Sequence, residues 1–274
     1  MKSIPDFKKC AALLLMVAPL LYLTGCAKRP PHVIRGEIGR NSEASQKLET
    51  HLKEFESETA SLKALVKFDI SDGDNERKTD AVLLIHRPDK IRIDAIDSLA
   101  DVWARTGSSG DQVWLDLPAK GRLYKGRSVR KNLQRLIDFQ LDVTDLIAII
   151  SGFPTTGKHS GFTQLEGRNA YHFVAYGGEL HLWTTEKGGF VRKLVRYGDG
   201  GRRIDFIAEF DDHRWVGKVK FPFHITLHFP SRGIQIVISY KDVSFGGPID
   251  DYIFSPNEHG FKKITDLDAS SGGL

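Results

Sequence analysis

A mainly β protein with covering helices is the fold class this sequence predicts, and three observations predict it. Long segments alternate apolar and polar residues with period two. Clusters of Gly, Asp and Asn, such as Ser71-Asp72-Gly73-Asp74-Asn75 and Gly198-Asp199-Gly200-Gly201, separate them at short intervals. Three further stretches space their apolar residues by three and four, as helices do. Composition agrees, since 41% hydrophobic and 27% charged residues in a chain of 274 is that of a folded globular protein. The formal charge of +4 is spread along the chain with no basic stripe, so no nucleic-acid partner is expected.

Lys2, Lys8 and Lys9 precede an apolar run from Cys10 to Leu23, which leads to Leu23-Thr24-Gly25-Cys26. Residues 1–25 therefore read as a signal peptide, the run being short of the ~20 residues a membrane-spanning helix needs. Leu-Thr-Gly-Cys resembles the lipobox of bacterial lipoproteins, and the resemblance implies that Cys26 carries the lipid, a thiolate being the nucleophile suited to acyl attachment. Residue 27 is Ala rather than Asp. By resemblance to the bacterial sorting rule, that implies anchorage in the outer membrane, facing the periplasm. Cys10 and Cys26 are the only cysteines, which rules out a disulfide framework or a cysteine zinc site in the body of the chain.

Residues 26–41, rich in Pro, Gly and Arg, read as a flexible tether. From Ser42, a plausible N-cap, to about Ser61 the spacing of Leu48, Leu52, Phe55 and Leu62 predicts an amphipathic helix. Strands follow: Leu62 to Ile70, then 79–86, 90–96, 101–106, 111–117, 170–176, 180–184, 190–197, Ile204 to Phe210, Phe223 to Phe229, and Ile234 to Tyr240. That is about eleven, all antiparallel by their short connections. Two helices interrupt them. Ser128 is read as the cap of one carrying Val129, Leu133, Leu136 and Ile137, and Val143, Leu146, Ile147 and Ile150 stripe another that Gly152 ends. The folded domain is placed at 42–256, with residues 257–274 as a C-terminal tail.

So many strands present more apolar surface than three short helices cover. The sheet must close into a barrel, or curl into an open half-barrel with the helices as a plug. Both tend to leave an apolar cavity. The alternation nominates Leu83, Ile93, Leu115, Phe173, Leu182, Phe206, Ile225, Leu227, Ile236 and Ile238 as its lining.

Catalytic and metal chemistry is not indicated, and no cofactor is expected. Gly152 to His159 has most of a phosphate-binding loop, but His159 stands where a Ser or Thr would hold magnesium, and the match follows a helix rather than a strand. His224 and His228, four residues apart on one strand, are ~13 Å apart, too far to share an ion; His172 and His181 are candidate cross-strand neighbours. There is no nucleophile elbow, and Asp211-Asp212 and Asp250-Asp251 sit at turns. Trp103, Trp114, Trp183 and Trp215 read as core or sheet surface rather than stacking platforms.

From Arg87 to Gly157 the chain resembles the LolA/LolB lipoprotein-carrier superfamily, and LolB-like proteins in particular. The matching features are Asp97-Ser98-Leu99-Ala100 where that family favours Asn-Pro-Leu-Gly, then paired strands, Gly121-Arg122-Leu123-Tyr124, and two helices ending in Ile150-Ser151-Gly152-Phe153-Pro154. Asp251-Tyr252-Ile253-Phe254-Ser255-Pro256 is similar to the closing Phe-x-x-Pro strand of related carriers. The resemblance implies a half-open antiparallel barrel lidded by α-helices and an apolar cavity for acyl chains. It also implies that Leu99 inserts into membrane or cargo, that a periplasmic carrier protein is a partner, and that the protein is not an enzyme. The acidic Asp97 and Asp101 depart from the family pattern. A second reading uses the same fold as a sensing or scaffolding envelope lipoprotein, its cavity filled by its own side chains.

Overall fold

The segments of period two are strands, because alternation places every second side chain on one face and leaves the other to solvent. The computed structural model describes residues 37–40, 42–137, 141–152, 161–165, 169–175, 178–185 and 190–269. In chain order these form β1 (Glu37–Arg40), α1 (Glu43–Glu58), β2 (Ser61–Asp72), β3 (Asn75–His86), β4 (Lys90–Ile96), β5 (Val102–Ser109), β6 (Gln112–Leu117) and β7 (Arg122–Arg127). Then come α2 (Arg130–Ile137), α3 (Val143–Ile150), β8 (Thr163–Leu165), β9 (Ala170–Ala175), β10 (Gly178–Thr184), β11 (Val191–Gly198), β12 (Arg203–Val216), β13 (Val219–Phe229), β14 (Ile234–Phe245) and β15 (Lys263–Asp266). The signal segment, Cys26, most of the Gly152–His159 loop and the final Ser-Ser-Gly-Gly-Leu lie outside the described residues.

All fifteen strands join one sheet in the order β1-β8-β9-β10-β11-β12-β13-β14-β2-β3-β4-β5-β6-β7-β15. Among the described residues β1 and β15 are its free edges, and the sheet they end is open. Its register builds continuous apolar rows on the inner face. One runs Tyr171, Leu182, Leu194, Ala208, Leu227, Ile236 and Ile70 across seven strands. A second runs Val243, Ala64, Leu83, Ile93, Thr106, Leu115 and Tyr124. Most of these side chains join residues of α1, α2 and α3 in one hydrophobic cluster.

The eleven expected strands are all present, and four more accompany them: β1, β7, β8 and β15. These are short, of three to six residues, and they are the two outermost strands at each end of the sheet, β1 and β8 at one and β7 and β15 at the other. Such short strands bury a side chain or two at most, such as Leu165 in β8 and Leu123 in β7, so they carry little alternation for a sequence reading to find. The expectation of a wholly antiparallel sheet is corrected at β15, which runs parallel to β7. It is reached by the long connection after Phe245, and length is what a parallel crossover requires. Part of the expected tether is thus the strand β1, and part of the expected tail is β15, with Leu267 buried beyond it.

Ser42 caps α1 as expected, its Oγ accepting from Ser45 N at 3.1 Å. At α2 the expectation is corrected: Leu133 N donates to Val129 O, so Val129 rather than Ser128 takes the cap position. Gly152 follows the last turn of α3 at φ +70°, and a Cβ there would meet the Pro222 ring at 2.8 Å. Only glycine both takes this left-handed turn at low cost and lets α3 end against β13.

Candidate functional site

The inner face has two unlike halves. Under α3 it is closed. Phe173, Leu182, Phe206, Ile225, Leu227, Ile236 and Ile238, all nominated as lining, are buried there beside Val143, Ile147, Ile149 and Ile150 of α3. Leu83, on β3, is buried as well. Across β4 to β7 the face is looser: Ile93, Leu115 and Tyr124 are only half-buried although they continue the same row. The structure thus brings eight of the ten nominated residues into the packed core and leaves Ile93 and Leu115 partly open.

Polar clasps seat α3 on the sheet. The Tyr240 hydroxyl donates to Ile150 O, and Arg87 Nη2 donates to Ser151 O at 3.4 Å. Arg196 of β11 occupies an inner-face row between Leu180 and Phe206, and its Nη1 meets Asp145 Oδ2 of α3 at 3.1 Å with both side chains buried. Arg196 also lies 3.8 Å from Asp205. Burial raises the Asp145 carboxyl to about 6, and the Arg196 charge only partly opposes that. Sequence reading missed this pair. Only half of its signal was present: Arg196 stands two residues from Leu194 on a strand, a charge at an inward position, whereas Asp145 falls outside the helical stripe of Val143, Leu146, Ile147 and Ile150.

Leu99 projects from the turn between β4 and β5 and is 81% exposed. Asp97 builds that turn: its Oδ1 accepts from Leu99 N at 2.8 Å and Asp101 N at 3.0 Å, while Ala100 N donates to Asp97 O. Ala100 takes φ +65°, the conformation glycine tolerates best. The acidic departure at Asp97 is therefore structural, and an Asp fixes the turn much as an Asn would.

On the outer face, residues 251–257 form a strap across β4 and β6. Trp114 Nε1 donates to Phe254 O at 2.8 Å, Arg92 Nη1 to Ile253 O at 3.0 Å, and Lys90 pairs with Asp251 at 2.7 Å. Between strap and sheet lies a cavity of about 550 Å³, floored by Arg92, Arg105, Trp114 and Asp116. A second, of about 360 Å³, sits beside the β12–β13 turn. None of the ten nominated residues lines either one. Trp114 is core, whereas Trp103 and Trp215 are exposed. His172 and His181 are cross-strand neighbours on the outer face, ring centroids 5.4 Å apart; burial, with a smaller contribution from His172, lowers His181 to about 4. No group of three or more potential metal-ligating side chains occurs among the described residues.

An open, almost wholly antiparallel sheet with helices seated on its apolar inner face defines the class of protein. Solved structures sharpen it. A LolA-superfamily protein from Nitrosomonas europaea superposes with TM-score 0.55 at 15% identity, over 77% of this chain and 97% of that one. A DUF1329-family protein from Desulfovibrio piger gives 0.57 at 11%, over 79% and 98%. A domain described as an outer membrane lipoprotein-sorting protein, from Vibrio parahaemolyticus, gives 0.54 at 12%, over 77% and 97%. The fold is LolA/LolB-like. In sequence, neither a protein-family model nor a curated protein matches the chain.

Proposed function

We propose that this chain is an outer-membrane-anchored periplasmic lipoprotein, held by lipid on Cys26, that binds acyl chains on its inner face and serves lipoprotein sorting or insertion without being an enzyme. The observation that carries the reading is the half-open apolar row at Ile93, Leu115 and Tyr124, continuous with a packed apolar interior that α3 covers. An acyl chain entering along that row meets the apolar surfaces of Ile93, Leu115 and Tyr124, which gain by losing water at ~0.8 kcal/mol per methylene, and Thr106, whose hydroxyl is already committed to Trp114 O at 2.7 Å. The LolA-superfamily and lipoprotein-sorting descriptions of the structural neighbours support the same chemistry. A periplasmic carrier delivering lipoproteins is the partner this reading requires, and Leu99 is the residue placed to touch membrane or cargo.

Titration of the protein with a fluorescent fatty-acid analogue tests it. Saturable binding that Leu115→Trp weakens is the expected result, and absence of binding overturns the reading. Leu227→Trp, beneath the closed half, should cost ~1 to 3 kcal/mol of stability by overpacking. For the anchor, palmitate should label wild-type protein and not Cys26→Ala; equal label in both would remove Cys26 from the account. Burial of eight nominated lining residues favours a second reading, in which the interior is filled by the chain itself and the lipoprotein acts as a scaffold.

A further inference from the structure

The β12–β13 hairpin outruns its neighbours. β11 pairs with β12 only as far as Lys193 opposite Glu209, and β14 pairs with β13 only from Ser239 opposite His224. Beyond these points the two strands pair with each other alone, from His213 opposite Pro222 to Val216 opposite Val219, and Gly217 at φ +60° opens the two-residue turn. The resulting ribbon carries Trp215, 67% exposed, beside Lys218 and Lys220. Its two aspartates are already engaged, Asp212 with Arg214 at 2.5 Å and Asp211 with Arg192 at 3.5 Å. Lys220 lies 4.4 Å from the Phe190 ring centroid and 5.9 Å from that of Trp215, and neither it nor Lys218 has an acidic partner among the described residues.

An exposed indole flanked by unneutralised lysines is the composition that settles at a bilayer interface carrying anionic headgroups. Topology agrees. Followed through β8 to β11, the Glu37 end of β1 lies on the ribbon side of the sheet, and the turn bearing Leu99 lies on the other. Only residues 27–36 separate Glu37 from Cys26, a reach of at most ~40 Å. A lipid on Cys26 therefore leaves the ribbon end free to reach the leaflet it enters.

We propose that the β12–β13 ribbon is a membrane-contact element for an anionic lipid surface, with Trp215 at headgroup depth and Lys218 and Lys220 against the phosphates. This rests on the anchoring reading above and deepens it. The domain then stands on its ribbon end, and of the two contacts allowed to Leu99 above, membrane or cargo, this orientation assigns it the arriving cargo.

The test uses the full chain, acylated at Cys26, in phosphatidylcholine vesicles with or without phosphatidylglycerol. The fluorescence difference between wild type and Trp215→Phe isolates Trp215. Quenching of that component by tail-brominated lipid in anionic vesicles only, its loss in Lys218→Glu, and its persistence in Leu99→Asp are expected. Equal quenching with neutral lipid, or a component that stays open to aqueous acrylamide on anionic vesicles, overturns the proposal, and an acidic protein then becomes the better partner. Palmitate labelling of the same preparation separates the two readings. If the chain is unlabelled, anchoring fails and the ribbon is scored by co-flotation with the same vesicles, where changing Lys218 and Lys220 to Gln should lower partitioning about thirty-fold. Unchanged flotation would also overturn it. Lys218→Gln alone, at the exposed turn, guards against a folding defect.

Discussion

The closed and open halves of the inner face are built from the same alternating pattern and end in different states. From β9 through β14 the row Tyr171, Leu182, Leu194, Ala208, Leu227, Ile236 is sealed. From β4 to β7 the row Ile93, Thr106, Leu115, Tyr124 is half-accessible. The difference lies in what covers them. α3 is apolar through Ile147, Ile149 and Ile150 and is fastened by Tyr240, Arg87 and Arg196. Over β6 and β7 the cover is α2, which buries Asn132 and Leu133 but leaves Gln134, Arg135 and Leu136 half-buried, and is tied to the chain end through Asn132 to Asp268 and Arg135 to Leu267 O. Alternation decides which side chains face inward; the cover decides whether they form core or binding surface.

The sharpest way to break that contrast is truncation. Phe173→Ala, deep under the closed half, should cost ~3 to 5 kcal/mol, because a sealed site keeps the hole that the ring leaves. Leu115→Ala removes fewer atoms from a site water already reaches, and should cost under ~1.5 kcal/mol. Chemical denaturation of the two variants checks this. Equal losses would mean that the halves are packed alike and would remove the open row as an entrance.

A second test uses two buried titratable groups, one on each face of the closed half. Burial raises Asp145 from 3.8 to about 6, so the native state holds its proton more tightly than the unfolded chain. The stability this gives is full below pH ~4 and is lost as pH rises through about 6. His181 works the other way, lowered from 6.5 to about 4. The stability of its neutral ring is present above pH ~6.5 and is lost as pH falls through about 4. Each effect has an upper size of ~3 kcal/mol, and between pH 4 and 6 they oppose each other. Wild-type stability should therefore be flat in that window. His181→Gln should make it fall with rising pH, and Asp145→Asn should make it rise. Melting temperatures across the window read both, and parallel profiles would show that Asp145 and His181 do not titrate as their burial implies.

These contrasts separate what was legible in the sequence from what was not. The eleven longer strands and three helices were legible because each buries a periodic stripe, and Lys90–Ile96 was bounded to the residue. The edge strands were not, since Glu37–Arg40 and Lys263–Asp266 are defined by backbone pairing to residues far away in the chain. Leu99 could be nominated because its turn had a recognisable resemblance. The Asp145–Arg196 clasp could not, because two charges on separate elements become a pair only when α3 lies across β11. Whether an inward residue faces void or neighbour depends on the helix above it, and nothing in a strand's own alternation records that.

A smaller effect is expected at the turn that carries Leu99. Ala100 holds φ +65° at the place where the resembling motif has Gly, and a non-glycine residue in that region costs ~1 kcal/mol. Ala100→Gly should relieve that cost, offset in part by the greater freedom of glycine in the unfolded chain, for a net gain below ~1 kcal/mol. A drop in melting temperature would mean that the turn is not left-handed there.

The smallest effect on stability is expected at Leu99 itself, and it is the most informative about function. With four-fifths of its surface in water, the side chain contributes almost nothing to the core, and its own backbone N–H is held by Asp97 whatever side chain stands there. Leu99→Asp should therefore leave the denaturation midpoint within ~0.5 kcal/mol of wild type. The same change adds a third carboxylate between Asp97 and Asp101 at the tip of the turn, where contact with an acyl chain or bilayer would require desolvating it. Delivery of a labelled lipoprotein to acceptor vesicles should fall sharply while fatty-acid binding at the Leu115 row stays unchanged. If binding and delivery fall together, Leu99 belongs to the ligand row rather than standing apart from it. If neither falls, the exposed leucine is an ordinary surface residue and the open half acts without it.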